Sequence, residues 1–137
     1  MGGGRMQFTY YGKVIGQGRP RFTRNGRAYE AKADRDNKAA IRAAYVASGG
    51  GMHEGAVRVA IRTFRTLPKN TPKRVESAPD TITPDADNIA KAVLDALSGV
   101  AYADDSDVVE LLVEKTPRTR TTERMEITVE QAREGEQ

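Results

Sequence analysis

One stretch, residues 84–109, constrains the chain more than any other, because two groups of aspartates flank a helical pattern within it. Pro84 disfavours helical backbone at the residue before it, so the chain is expected to reach the first group in extended form. Beyond that group, apolar residues recur at the spacing of a single helix face, which predicts an amphipathic helix. The residues of this face are Ile89, Val93, Ala96 and Leu97.

The first group of aspartates lies where this helix is expected to begin. Asp85 and Asp87 stand two residues apart, and the pattern places Lys91 one turn into the helix. Asp87 or Asn88 is expected to cap the first-turn amides, where a negative charge also suits the helix dipole. Gly99 follows the last apolar position and predicts the end of the helix.

A second group, Asp104, Asp105 and Asp107, directly precedes an apolar, β-branched run that predicts a strand over 108–113. Carboxylates packed together raise one another's pKa unless a cation is near. Mg²⁺ prefers oxygen ligands, and it can polarise a phosphodiester and activate water while a lysine neutralises charge on the phosphate. Capping and surface charge alone would explain some of these aspartates, but not the whole set.

The residue types that are missing narrow the chemistry. The chain has no cysteine and a single histidine, His53, which excludes disulfides, thiolate zinc sites and histidine-based triads. Any catalysis therefore has to use carboxylates, lysine or a metal ion. No apolar run approaches the roughly 18 residues of a membrane-spanning helix. The first residues carry no hydrophobic signal segment, so a cytoplasmic protein without a membrane partner is expected.

Charge is divided unevenly along the chain. Residues 1–75 hold 16 Lys and Arg against 4 Asp and Glu, a net of +12, and residues 76–137 hold 6 against 15, a net of −9, which together give the +3 of the whole chain. A basic half beside an acidic half indicates a polyanion-binding surface next to a cation-binding site. Solvated faces give the same pattern, so charge alone does not decide between the two.

Arginines alternate with aromatic residues over 19–29, where Asn25-Gly26 predicts a hairpin turn. Phe22 or Tyr29 is available to stack on a base, and a solvated hairpin with two core aromatics is the alternative. The loop predicted over 67–83 is basic and proline-rich, and it either wraps a nucleic acid backbone or has no role. The residues expected to hold DNA are Arg19, Arg21, Arg24, Arg27, Lys69, Lys73 and Arg74.

The remaining patterns complete an α+β fold in a single domain of residues 1–137. The order of strand, hairpin, helix, strand, long loop, helix, strand and strand predicts a small mixed β-sheet with helices packed on one face. The ends of the chain, 1–5 and 132–137, are expected to be disordered. The other predicted strands cover 7–14, 56–64 and 125–129, and the other predicted helix covers 34–48.

Three motifs in the chain match one known pattern. They are Pro84-Asp85-Ala86-Asp87-Asn88-Ile89-Ala90-Lys91 continuing to Val93-Leu94-Asp95-Ala96-Leu97, then Tyr102-Ala103-Asp104-Asp105-Ser106-Asp107-Val108-Val109, and Gly18-Arg19-Pro20-Arg21-Phe22. Together they resemble the RusA family of Holliday junction resolvases, and the last motif is similar to the start of many phage-borne members.

The resemblance implies a RusA-like homodimer that binds four-way DNA junctions and nicks two strands symmetrically with Mg²⁺, in DNA recombination and repair. It implies that Asp85, Asp87 and Asp105 are the essential acids that bind the metal, and that Lys91 is the essential lysine. The neighbouring motif positions, expected to have supporting roles, are Asn88 and Asp104.

Two other interpretations stay open at this point. One is a catalytically silent dimer that binds junctions or other branched DNA, although the intact set of acids disfavours it. The other is a nucleotidyl or glycosyl transferase that uses Asp-x-Asp to hold a nucleotide diphosphate through a metal ion. No Gly-rich phosphate loop follows a strand in this sequence, which disfavours the transferase.

Overall fold

The computed structural model of the protein describes residues 4–18 and 21–132. The elements follow the predicted order, with two additional 3₁₀ turns at Lys73–Val75 and Asp105–Asp107. The strands are β1 (Arg5–Tyr11), β2 (Arg21–Phe22), β3 (Ala28–Tyr29), β4 (Val57–Phe64), β5 (Val108–Lys115) and β6 (Arg124–Gln131), and the helices are α1 (Lys32–Ala47) and α2 (Ala86–Leu97).

Four of the strands form one mixed sheet in the order β1-β6-β4-β5. β6 pairs antiparallel with both β1 and β4, whereas β4 and β5 run parallel. A parallel pair needs a crossover connection, and here the long loop and α2 supply it. β2 and β3 form a separate two-stranded ribbon. The predicted α+β fold with a small mixed sheet is confirmed.

Both helices cover the same face of the four-stranded sheet, as predicted. Alternate side chains of β1, β4 and β6 are buried in a single core cluster with the apolar faces of α1 and α2. Phe8 of β1 meets Tyr45 of α1 edge to face, with ring centroids 5.3 Å apart. The predicted apolar face of α2 is buried in full, from Ile89 to Leu97.

The opposite face of the sheet carries charged residues that pair with one another. Arg62 lies 3.2 Å from Glu114, and the guanidinium groups of Arg62 and Arg124 lie over the Phe64 ring. The predicted alternation of apolar and polar residues along β4 is therefore correct, and the arginines of this face are largely neutralised within it.

The predicted boundaries differ from the structure at the ends of the chain and at the first strand. Arg5 pairs with Glu130 as the first residue of β1, and the Ala132 amide donates to the Ala56 carbonyl at 2.9 Å. The Gly4 carbonyl also accepts from the Gln131 amide at 2.8 Å, so ordered pairing reaches two residues into the first predicted tail and one into the second. Residues 1–3 and 133–137 lie outside the described residues. β1 ends at Tyr11, and Val14 is buried beyond the strand.

The segment between β4 and α2 is a long loop, as predicted, and several contacts tie it to the body. Leu67 is buried, and its amide donates to the Thr119 carbonyl at 2.8 Å. Arg120 pairs with Glu76 and donates to the Thr71 carbonyl at 2.7 Å. The loop therefore has a defined path across the end of the sheet to the start of α2.

Candidate active site

The helix α2 begins one residue after Asp85, which occupies the N-cap position with extended backbone (φ −70°, ψ 154°). The prediction that Asp87 or Asn88 caps the helix is wrong, because both lie inside the first turn. The Asp85 side chain makes no capping hydrogen bond. Its carboxylate is exposed at the positive end of the helix dipole and is available to a ligand.

The solvent-facing side of α2 carries charged residues at one-turn intervals. Asp87, Lys91 and Asp95 follow each other at i, i+4 and i+8, so they lie in one line along the helix. The rise of an α-helix separates neighbours in this line by about 6 Å. Lys91 is exposed between the two aspartates and makes no ion pair within residues 4–18 and 21–132.

Of the three aspartates that precede β5, Asp104 and Asp105 have different surroundings. The Asp104 carboxylate caps the 3₁₀ turn Asp105–Asp107, accepting from the Ser106 amide at 3.1 Å and from the Ser106 hydroxyl at 2.7 Å. These hydrogen bonds hold the pKa of Asp104 below its usual value. Asp104 is thus occupied in shaping the turn.

Asp105 instead faces α2, where it lies within reach of Asp95 and Ser98. Partial burial raises its pKa, and the neighbouring Asp95 carboxylate raises it further, while the Ser98 hydroxyl opposes the change. A carboxyl group that faces another carboxylate gains from any cation placed between them. The Asp95–Asp105 pair is therefore a candidate cation-binding position.

Tyr102 forms the floor beneath this pair. Its side chain is fully buried, and its hydroxyl donates to the Leu94 carbonyl at 2.7 Å. Burial raises the pKa of Tyr102, and the charges of Asp105 and Asp95 raise it further. The Tyr102 hydroxyl therefore stays protonated, and its hydrogen bond ties the segment before Asp105 to α2.

The donor set fits a hard divalent cation in type, because it consists of carboxylates. The carboxylates do not form one cluster, because no group of three or more His, Cys, Asp or Glu side chains in the described part of the chain could hold one metal ion. Asp87 and Asp95 are separated by about 12 Å along α2. The structure therefore brings Asp105 to Asp95 and not to Asp85 and Asp87. Mg²⁺ commonly binds only one or two carboxylates and completes its coordination with water and phosphate oxygens. Asp85 with Asp87, or Asp95 with Asp105, can supply those carboxylates.

The loop before β2 packs against the start of α2. The Gln17 amide donates to the Asn88 carbonyl at 3.0 Å. Gly16 lies so close that a Cβ atom there would stand 2.8 Å from Pro84 Cβ and 2.9 Å from Asn88 Cβ. Glycine is therefore required at this contact, and Asn88 has a structural role beside Asp87.

The ribbon of β2 and β3, residues 21–29, is called the arginine hairpin below. Glu30, directly after it, pairs with Lys38 of α1, and the Lys38 ammonium lies 3.9 Å from the Asp95 carboxylate. The Lys38 hydrogen bond holds the pKa of Glu30 below its usual value. Together with Gln17, this chain of contacts fixes the base of the hairpin beside the charged line of α2.

An ion pair and three hydrogen bonds fix the backbone just before α2. Arg65 and Asp80 form an ion pair at 3.2 Å, and the Asp80 side chain is fully buried. Asp80 accepts from the Ile82 amide at 3.3 Å, while Arg65 and Lys115 donate to the Ile82 carbonyl at 3.4 and 2.6 Å. Both backbone groups of Ile82 are fixed, which sets the path of the chain into Asp85.

Comparison with known proteins agrees with this arrangement. The family model described as "Endodeoxyribonuclease RusA" matches residues 11–130. The chain belongs to the RusA family. A relative, "Uncharacterized protein YqaN" of Bacillus subtilis (strain 168), is 37% identical over 125 residues, which cover 80% of this chain and 86% of that protein. The RusA match includes both groups of aspartates, Lys91 and the arginine hairpin.

The basic residues expected to hold DNA lie on two segments that flank the start of α2 in this RusA-family fold. Those of the arginine hairpin and those of the loop after β4 are exposed, and the loop leads directly into Pro84. Arg19 lies outside the described residues. The exposed members are Arg21, Arg24, Arg27, Lys69, Lys73 and Arg74.

Sequence reasoning missed several residues that shape the site. Asp95 lies on the same helix face as Lys91, as its spacing predicts, but the sequence pattern gave it no role. Tyr102 and Ser98 contact residues within ten positions of themselves, although no periodic pattern marks these contacts, and only Lys38 reaches the site from a distant element. Within residues 4–18 and 21–132, neither helix is long and apolar enough to span a bilayer.

Proposed function

We propose that this RusA-family nuclease is a Mg²⁺-dependent resolvase, which cuts four-way DNA junctions by paired symmetric nicks in recombination and repair. The observation that carries the proposal is the position of Lys91, which stands one turn from an aspartate on either side along the exposed face of α2. The helix rise separates Lys91 from each of these aspartates by about 6 Å along the axis of α2.

Asp85, Asp87 and Asp105 are the proposed ligands of Mg²⁺, although Asp105 lies apart from the other two in this structure. All three are exposed, and no ion pair joins any of them to a basic side chain within residues 4–18 and 21–132, which supports this role. When bound, the ion would polarise the scissile phosphate and activate water. Lys91 binds a non-bridging phosphate oxygen and neutralises the charge that develops there. Asp104 supports the site by capping the turn that presents Asp105.

The exposed arginines of the hairpin and the basic residues of the loop after β4 bind the phosphate backbone on either side of the cut. Arginine contacts to phosphate are bidentate and strong, but they release counterions, so binding weakens steeply with salt. These residues are Arg21, Arg24, Arg27, Lys69, Lys73 and Arg74, together with Arg19.

A homodimer is the proposed functional unit. Resolution of a junction needs two cuts on symmetric strands, and a twofold assembly presents two identical sites to them. Sedimentation of the protein alone and with junction DNA measures the assembly directly. A protein that stays monomeric in both conditions would contradict this part of the proposal.

The deciding experiment incubates the protein with a synthetic four-way junction and a linear duplex of the same sequence, in Mg²⁺ or in EDTA. Asp85→Asn and Lys91→Ala are compared with Asp36→Asn, which removes an exposed aspartate of α1 that pairs with Lys32. We expect paired nicks in the junction alone, lost in EDTA and in both site variants and kept in the control.

Two results would contradict the proposal in different ways. Tight junction binding without cutting in any divalent metal would identify a catalytically silent branched-DNA-binding dimer. Absence of DNA binding would exclude both functions, and nucleotide binding in its place would indicate the transferase.

A further inference from the structure

Phe22 is an exposed aromatic ring on the arginine hairpin. The chain has three phenylalanines. Phe8 is buried in the core, and Phe64 is covered by the guanidinium groups of Arg62 and Arg124. Phe22 is 66% exposed and is absent from the core cluster. A single exposed apolar ring is common on a protein surface, so the case for a ligand depends on what surrounds Phe22.

The hairpin holds this ring in a defined place. The Thr23 amide donates to the Arg27 carbonyl at 2.9 Å, and the Gly26 amide donates to the Thr23 carbonyl at the same distance. Gly26 adopts φ +79°, the left-handed conformation that closes such a turn. Phe22 stands opposite Ala28, whose small side chain leaves the face of the ring uncovered.

The surroundings of the ring are basic. No acidic residue occurs between positions 19 and 29. Arg21, Arg24 and Arg27 are exposed, and they make no ion pair within the described part of the chain. A second copy of this hairpin would be repelled by like charge, which disfavours self-association through Phe22. A polyanion is attracted, and a ligand that combines negative charge with a flat apolar face is a nucleic acid with an unstacked base.

We propose that Phe22 is a stacking site for an unpaired base of branched DNA, and that the surrounding arginines bind the phosphates next to that base. This inference rests on the proposed nuclease function and deepens it. Bases inside a linear duplex are stacked on their neighbours and offer no free face, whereas a branch point can expose one. Phe22 therefore distinguishes branched from linear DNA, and the arginines do not.

The position of the hairpin links the stacked nucleobase to the site of cutting. Gln17 and Glu30 hold the end of the hairpin that joins the body. Gln17 contacts Asn88 directly, and Glu30 reaches Asp95 through Lys38. A base stacked on Phe22 would place the adjoining backbone on the side of the molecule that carries the charged line of α2. Recognition of the branch and cleavage near it thus involve neighbouring elements.

The test uses a four-way junction with 2-aminopurine at the branch point, in EDTA so that no cutting occurs. Stacking on an aromatic ring quenches the fluorescence of 2-aminopurine that has left the helix. Phe22→Ala should abolish this change and weaken junction binding by about tenfold, the typical loss of one base–aromatic stack. Its affinity for linear duplex should stay the same, and Phe22→Trp should retain both stacking and affinity.

Arg24→Ala is the matched control, because it changes the same hairpin without removing the ring. It should weaken junction and duplex binding alike and reduce the salt dependence of both. Thermal unfolding of all three variants should match the wild type, since the hairpin contributes nothing to the core cluster.

Several outcomes would overturn the inference. An unchanged fluorescence response in Phe22→Ala, or an equal loss of affinity for junction and duplex, would show that the ring does not bind an unpaired base. A change in oligomeric state would show that Phe22 contacts a second copy of the chain. If the wild type cuts junctions and Phe22→Ala behaves like it, this inference alone fails; if the wild type neither binds nor cuts junctions, the proposed function fails with it.

Discussion

Asp80 and Asp105 are the same residue type in opposite surroundings. Asp80 is fully buried and meets a cation of the chain, Arg65, at 3.2 Å. Asp105 is exposed and meets another carboxylate, Asp95, which raises its pKa together with partial burial. The charge of Asp80 is balanced by Arg65, whereas no ion pair joins Asp105 to a basic side chain within residues 4–18 and 21–132. The partner of a carboxylate therefore separates structural aspartates from candidate functional ones.

The largest expected effect comes from breaking the satisfied pair. Asp80→Ala leaves the half-buried Arg65 without its partner and removes the acceptor for the Ile82 amide. Removing one member of a buried ion pair costs about 3–5 kcal/mol. We expect the free energy of unfolding in urea to fall by about that amount.

The control for this prediction replaces both partners. Asp80→Leu combined with Arg65→Met exchanges the buried charges for apolar groups, which is often neutral or stabilising. The double variant should recover most of the stability. If Asp80→Ala is as stable as the wild type, the Arg65–Asp80 pair does not hold the loop.

Asp105→Asn sharpens the other half of the comparison, because its effect should fall on activity and not on stability. Loss of a metal ligand should lower the cleavage rate by at least about a hundredfold, since even outer-shell partners of a metal contribute about 10–100-fold. The midpoint temperature of thermal unfolding without metal should be unchanged or slightly raised. The measurement is single-turnover cleavage of a junction at saturating protein.

Asp104→Asn is the matched variant at the neighbouring position. It keeps an oxygen that can accept from Ser106, so the turn is preserved and the loss of activity should be smaller. A larger loss in Asp104→Asn than in Asp105→Asn would reverse the assignment of the two residues.

The smallest expected effect concerns the pH dependence of stability. The pKa of Asp105 is raised in the folded protein by burial and by Asp95. Between the unfolded value and this raised value the folded state binds more protons, so stability falls as pH rises through that window. Asp95→Asn removes the contribution of Asp95 to this raised pKa and leaves those of burial and of the Asp104 charge.

In EDTA at neutral pH, Asp95→Asn should therefore have a free energy of unfolding about 0.2–1 kcal/mol above that of the wild type, as for other exposed charge pairs. The contact that it weakens, from Lys38 to Asp95 at 3.9 Å, is long. The difference should vanish at acid pH, where Asp105 is protonated in both proteins. Added Mg²⁺ should stabilise the wild type more than the variant. A difference that is constant with pH would mean that the two carboxyl groups do not interact.

The spacing of apolar residues predicted the helices and strands because the predicted apolar faces are the faces that the structure buries. The apolar line from Ile89 to Leu97 is buried as the periodicity required, and Gly99 follows the helix with φ +88°. The capping residue could not be chosen in this way, because Asp85, Asp87 and Asn88 are all good N-cap types. The structure placed the first helical residue at Ala86, which leaves Asp85 with extended backbone.

The contacts that define the site are set by how the chain turns between elements, which periodicity does not predict. Asp105 reaches Asp95 because the chain turns back at residues 98–102, directly after α2, where the Gly99 amide donates to the Tyr102 carbonyl. Arg65 reaches Asp80 because the loop turns back on itself. The residue types and the grouping of Asp85 with Asp87 were visible in the sequence, but the contact of Asp105 with Asp95 was not.

The arginine hairpin shares no strand with the main sheet and no residue with the core. Its sequence can therefore change without loss of folding stability, as long as the glycines at its base and turn are kept. The candidate site residues, in contrast, lie on and directly after α2, whose apolar face is buried in the core cluster with the sheet. In such a layout, substitutions in the hairpin can change substrate choice between relatives while the reaction stays the same, because they do not disturb the residues on α2.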